Sequence, residues 1–213
     1  MMDYKKFKLI QQYNRVVLWN NFAGKNEFSN WENQADRVKE EVKEFFSHTQ
    51  IPLGNDFDRK NLVLDDVCDI FVTASFLDYM NQFGKGCSLY YIEPHEDVIQ
   101  LVKSGNIHEV KPFFADIEYS LGVVYSIIMS GSDEYDFLGA IEEVIDSNYS
   151  KYIPYGANTL LKSALEEFES NGEDVYVVDS NLYHVIKRKS DDKVMKPTVC
   201  YREPLLDKFI KKV

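Results

Sequence analysis

Glu41 and Glu44 stand three residues apart in the run Gln34-Ala-Asp-Arg37-Val-Lys-Glu40-Glu41-Val-Lys-Glu44-Phe-Phe. On a helix the two share one face, about 60° apart. The next apolar segment repeats the spacing with Asp66 and Asp69, in Leu64-Asp-Asp66-Val-Cys-Asp69-Ile-Phe-Val-Thr73. From Val67 to Leu77 that segment is apolar nearly all round, the mark of a buried helix. A carboxylate inside it must be neutral, paired or bound to a metal. Four converging carboxylates with no His or Cys among them suit a hard cation, Mg²⁺ or Mn²⁺. Glu40 adds a fifth acid nearby, turned further towards solvent.

These side chains need two helices side by side. Ser29-Asn30-Trp31-Glu32 reads as a capping box that opens a helix running to about His48. Trp31, Ala35, Val38, Val42 and Phe45 then form its apolar seam. Gln50–Lys60, with Pro52 and Gly54, reads as a loop, and a helix follows over about Asn61 to Phe83. Helices joined by a short loop pack antiparallel, which sets Glu41/Glu44 opposite Asp66/Asp69. Further helices are expected at Tyr4–Phe22, Pro94–Lys103, Pro112–Met129, Asp133–Ser147 and Asn158–Ser170. Asp174–Lys189 alternates about Asp179-Ser180-Asn181, a hairpin signal. The expected fold class is all-α, a helical bundle with extra helices and a small C-terminal β-hairpin.

The 213 residues, 45% hydrophobic and 14% aromatic, suffice for one ordered domain with a real core. Lys+Arg 24 against Asp+Glu 35 gives a net charge of −11, which argues against a duplex nucleic-acid binder. An acidic protein acting on a polyanion needs charge cancelled, and a divalent metal does that. No apolar run is long enough to span a membrane, and the N-terminus lacks the apolar core of a signal peptide. Cys68, Cys87 and Cys200 are scattered and odd in number, as in a reducing, cytoplasmic compartment. The four histidines show no ligand spacing, and Gly84-Lys85-Gly86 is too short for a phosphate-binding glycine loop.

The pattern Glu-x-x-Glu followed by an acidic-x-x-Asp resembles the all-α NTP pyrophosphohydrolases, which include MazG-like, dimeric dUTPase-like and phosphoribosyl-ATP pyrophosphohydrolase-like proteins. Asn20-Asn-Phe22-Ala-Gly24 is similar to the early Phe-Gly turn of the last, phage-type branch. Ser147-Asn148-Tyr-Ser150-Lys151 is similar to that branch's Ser-Asn-x-Ser-Lys motif, and Asp192-Lys193-Val-Met-Lys196…Tyr201 to its tail. Asp66 departs from the pattern, standing where the family usually has Glu. The resemblance covers about half the chain in three pieces. The stretches at about 83–139 and 155–171 read as insertions into a single domain spanning 1–213.

The resemblance implies a Mg²⁺-dependent enzyme that splits a nucleoside triphosphate into monophosphate and pyrophosphate. It implies metal ligation by Glu41, Glu44, Asp66 and Asp69, with Glu40 or Glu41 acting on the attacking water. Asn148, Lys151, Lys196 and Tyr201 would hold sugar or phosphate, and Gln34 the base. It also implies a homodimer or a higher even oligomer, an expectation that the many apolar faces of the third helix reinforce. The alternative is a non-catalytic helical protein whose acids form an interaction face or a metal- or nucleotide-sensing site.

Overall fold

In a computed structural model, which describes residues 3–50 and 56–211, the chain is mostly helical with one small sheet. Helix α1, Tyr4–Phe22, opens where Asp3 accepts a bond from the Lys5 amide (3.1 Å). It closes before Gly24, whose φ of +78° suits a residue without a Cβ. Helix α2, Trp31–Thr49, is capped by Asn30, which accepts from the Asn33 amide at 3.0 Å. Ser29, the expected cap, serves one turn earlier by accepting from the Asn26 amide. Helix α3, Asp56–Asn81, takes in the last five residues of the expected Gln50–Lys60 loop. Residues 51–55 of that loop lie outside the described part.

Helix α4 is Glu96–Lys103 and α5 is Ser120–Met129. The single helix expected over Pro112–Met129 is broken. Pro112 lies in a 3₁₀ stretch, Ile107–Phe114, and Asp116 caps a further 3₁₀ turn at Ile117–Tyr119. Helix α6, Phe137–Ser150, starts later than expected because Asp136, not Asp133, accepts from the Gly139 amide. Helix α7 is Asn158–Ser170, as the sequence indicates.

The expected hairpin forms from β2, Val175–Asp179, and β3, Tyr183–Arg188. A two-residue strand, β1, Ile153–Pro154, adds to the other edge of β3, so the sheet is antiparallel in the order β1-β3-β2. Nothing local announces β1; it exists because Ile153 meets His184 across the sheet.

Helix α3 runs through the middle of the main core and packs on α1, α2, α5 and α6. Val67, Ile70 and Phe71 are wholly buried among Leu9, Val38, Phe45, Val124 and Ile141. Truncating Phe71 to Ala at such a position costs about 3–5 kcal/mol. The apolar faces of α3 that the sequence leaves for a second subunit are thus covered within the chain. The segment expected as an insertion at 83–139 contributes Leu89, Val98, Val110 and Tyr125 to this same core.

A smaller cluster of Ile153, Ala164, Phe168 and Ile186 seats α7 on the sheet. A third joins Ala23 at the end of α1 to Tyr152 and Val185. Here the Trp19 and Tyr152 rings stack at 5.5 Å, Trp19 Nε1 donates to the Asn148 carbonyl at 2.9 Å, and Tyr152 donates to the Trp19 carbonyl at 2.7 Å. These contacts fix the end of α6 against α1, which positions Asn148 and Lys151.

Candidate functional site

Three side-chain bonds tie α2 to α3. Trp31 Nε1 donates to Asn81 Oδ1 (2.6 Å), Gln34 Nε2 to the Thr73 carbonyl (2.8 Å), and His48 Nδ1 lies 2.8 Å from Asp66 Oδ2. The partners ascend α2 as they descend α3, so the helices are antiparallel. Glu41 falls between the second and third bonds, opposite the turn of α3 that carries Asp69.

Glu41 is half-buried, and its carboxyl is pushed up to about 7 by burial and then by the charges of Glu44, Glu40, Asp66 and Asp65. Burial also holds Asp69 well above the usual carboxylate range; Asp65, Glu41 and Asp66 add to this, and Lys151 opposes it. The four expected acids and Asp65 therefore act on one another electrostatically. Glu40 and Glu44 are exposed on the outer flank of α2.

Asp65 and Asp66 lie on opposite sides of Asp69. Counting back from Asp69, Asp65 is displaced by about 40° one way and Asp66 by about 60° the other. Asp66 turns towards α2, is 5% exposed and bonds to His48. Burial raises its carboxyl, and the His48 bond works against that. Asp65 turns the other way and lines a cavity with Asp69; burial raises its carboxyl, while Lys196 and His48 draw it back. The family pattern leads to Asp66 and passes over Asp65, although its four-residue spacing to Asp69 is the signal for a shared face. His48 is also missed, though it follows Glu44 by one helical turn.

The cavity that Asp65 and Asp69 open into has a volume of about 440 Å³. Its lining also carries Asn148, Lys151, Lys196 and Tyr201, all expected from the two later motifs, together with Glu203 and Asp207. Asn148 Oδ1 accepts from Lys151 Nζ. That ammonium lies 5.8 Å from the Trp19 ring centre and 5.9 Å from that of Tyr201, while Lys196 Nζ lies 4.8 Å from Tyr201. The Lys151 ammonium is held down to about 8, first by burial and then by Lys196, with Asp69 opposing. Gln34 is not part of this lining. It is buried and borders a separate, smaller cavity beside Phe76.

Among the described residues, no three His, Cys, Asp or Glu side chains are gathered tightly enough to enclose a metal ion. The donor chemistry nevertheless fits Mg²⁺, which is held through one or two carboxylates and completes its shell with water and phosphate oxygens. Asp69 with Asp65 supplies two carboxylates on the cavity wall, and Glu41 a third within electrostatic reach. No described helix is long and apolar enough to cross a membrane.

Compared with protein-family models, curated proteins and solved structures, the chain has no significant match in any of the three.

Proposed function

We propose that this protein is a Mg²⁺-dependent nucleoside triphosphate pyrophosphohydrolase, converting an NTP or dNTP to its monophosphate and pyrophosphate. One observation carries the reading. Residues of three separated sequence pieces that resemble that enzyme class line one 440 Å³ cavity: Asp69, then Asn148 and Lys151, then Lys196 and Tyr201, with Asp65 beside them. Carboxylates (Asp65, Asp69, Glu203 and Asp207) and two lysines lining one cavity suit a phosphate chain whose charge is shared between a cation and ammonium groups.

Asp69 and Asp65, with Glu41 from α2, would hold Mg²⁺. Bound there, the ion would polarise the α-phosphoryl group and lower the pKa of the attacking water. Lys151 and Lys196 neutralise phosphate oxygens, and Asn148 keeps the Lys151 ammonium aimed at the cavity. The Tyr201 ring packs against both lysines and limits where they reach. Of the two candidate bases, half-buried Glu41 suits proton abstraction from water better than exposed Glu40.

The test is turnover of the eight common nucleotides with Mg²⁺, the products separated by ion exchange. Monophosphate with pyrophosphate supports the reading. Diphosphate with orthophosphate, or no turnover of any of the eight, overturns it.

A further inference from the structure

Phe76 and Met80 continue, towards the C-terminal end of α3, the stripe on which Asp65 and Asp69 lie. From Asp69 to Phe76 is about 10 Å along the axis and about 20° around it. At that end a second cavity of about 220 Å³ opens, bordered by Lys25, Asn33, Gln34, Arg37, Phe76 and Met80. It lies between the first turn of α2 and the Asp191–Asp192 turn that follows the sheet.

Its lining is less acidic than the protein as a whole. Net charge is −11, yet the lining balances two cations, Lys25 and Arg37, against Asp191 and Asp192, and among the described residues neither cation has a bonded counter-ion. The carboxylates on its rim are already engaged. Asp191 pairs with Arg188 at 2.6 Å; Asp192 pairs with Lys187 at 2.6 Å and accepts from Tyr176. Lys187 is itself buried, and its ammonium also donates to the Ala23 carbonyl. Lys25 is half-buried and its ammonium is held down to about 8, by burial, then Arg37, then Lys187, with Asp192 acting the other way. Two cations crowded together, with the nearby Asp192 already paired to Lys187, cost free energy that a further anion would recover. The positive end of α2 acts in the same sense, and the Gln34 amide is held in place by its bond to Thr73.

We infer that the cavity between Lys25 and Arg37 is a binding site for a small phosphoryl anion, inorganic phosphate or pyrophosphate. The volume is below that of a typical nucleotide or drug-sized pocket but ample for either ion. The guanidinium of Arg37 offers paired donors for phosphate oxygens, and Lys25 supplies a second, point-like charge to the same cavity. Two sources present the same chemistry: the end of a nucleotide's own phosphate chain, reaching along the α3 stripe, or free phosphate. The inference does not depend on the hydrolase reading, because it concerns binding without metal or turnover.

Calorimetric titration of metal-free protein with inorganic pyrophosphate tests it. Three variants separate this cavity from the larger one: Lys25→Met/Arg37→Met, Lys151→Met/Lys196→Met, and Arg37→Gln alone. Arg37 is exposed, so Arg37→Gln guards against misfolding of the double variant. The expected result is a site that Lys151→Met/Lys196→Met retains, Arg37→Gln weakens several-fold, and Lys25→Met/Arg37→Met weakens at least tenfold. Undiminished binding by Lys25→Met/Arg37→Met, or complete loss in Lys151→Met/Lys196→Met, would overturn the proposal. A non-hydrolysable triphosphate analogue with Mg²⁺ then separates the sources. Competition with pyrophosphate for the Lys25 site assigns it to the nucleotide's own chain, and simultaneous binding assigns it to free phosphate.

Discussion

His48 Nδ1 and Asp66 Oδ2 meet at 2.8 Å across the α2–α3 interface, and this bond turns Asp66 away from the cavity that its neighbours Asp65 and Asp69 share. Removing the imidazole leaves a buried carboxylate without its partner, which costs about 1–3 kcal/mol. His48→Ala should therefore lower the stability measured by urea unfolding at pH 7 by that amount. A change below about 0.5 kcal/mol, the range of an ordinary surface substitution, would show that the bond does not support the interface.

Asp69 is repelled by Asp65, Glu41 and Asp66 and attracted by Lys151. Asp69→Asn keeps the shape and removes the charge, so the apo protein should be equally or more stable while turnover is lost. Mg²⁺ at a hundred times its Kd should stabilise the wild type by about 2.7 kcal/mol and the variant far less. Melting curves at pH 8 with and without Mg²⁺ read both effects. A destabilised variant together with a metal-indifferent wild type would mean that Lys151 neutralises Asp69 in a structural pair.

Glu41 gives the pH dependence its sign. Its carboxyl is raised in the folded protein from 4.5 to about 7, so folding is opposed by its ionised form. Below 4.5 it is protonated in both states and costs nothing; stability then falls as pH rises towards 7 and levels off above it. Denaturant unfolding of metal-free protein across this window should show the decline, and Glu41→Gln should flatten it. A wild-type profile no steeper than that of Glu41→Gln would refute the assignment.

Lys151 has the opposite bias. Its ammonium is lowered to about 8, so at neutral pH the folded state carries a cation that its surroundings disfavour. Lys151→Met should leave the apo protein no less stable at pH 7, and any gain over wild type should shrink as pH rises from about 8 and vanish only above 10.5, where the amine is neutral in both states. The same variant should weaken a non-hydrolysable triphosphate by about 1.5–3 kcal/mol, the value of a charged hydrogen bond. Equilibrium titration with that analogue decides the matter, and unchanged affinity would remove Lys151 from the site.

Two helices match their reading to the residue, whereas α3 stops at Asn81, two residues short of the end expected at Phe83, and α4 starts at Glu96 rather than Pro94. Helix α1 ends before Gly24, and α7 spans Asn158–Ser170. The sequence reading erred at two helix starts: Asn30 rather than Ser29 caps α2, and α6 begins at Phe137 behind Asp136 rather than at Asp133. Apolar periodicity could not show that Pro112 and Asp116 divide a long segment into 3₁₀ turns ahead of α5. The site divides in the same way. Asn148, Lys151, Lys196 and Tyr201 were legible as short motifs, and they do line the cavity of Asp69. Which of Asp65 and Asp66 joins them depends on the rotation of α3 against α2, set by packing far from either residue. Gln34 shares the α2 face of Glu41 but lies about 10 Å further along its axis, which separates it from that cavity.

The C-terminal segment clips back onto the start of α6: Asp136 takes a backbone bond to Phe209, Lys211 bonds the Glu134 carbonyl, and Tyr135 pairs with Ile210. A Cβ on Gly139 would come within 2.5 Å of the Phe209 ring, so the segment seats only because that position is bare. Chain connectivity leads us to predict an order of assembly. The acids of α2 and α3 belong to one helical hairpin and can meet early, whereas Lys196 and Tyr201 must close a loop across more than half the chain. An intermediate in which the hairpin has formed and the C-terminal segment has not would hold its carboxylates without the Lys196 charge that tempers Asp65. Low pH or a divalent cation should therefore speed refolding as well as stabilise the final fold.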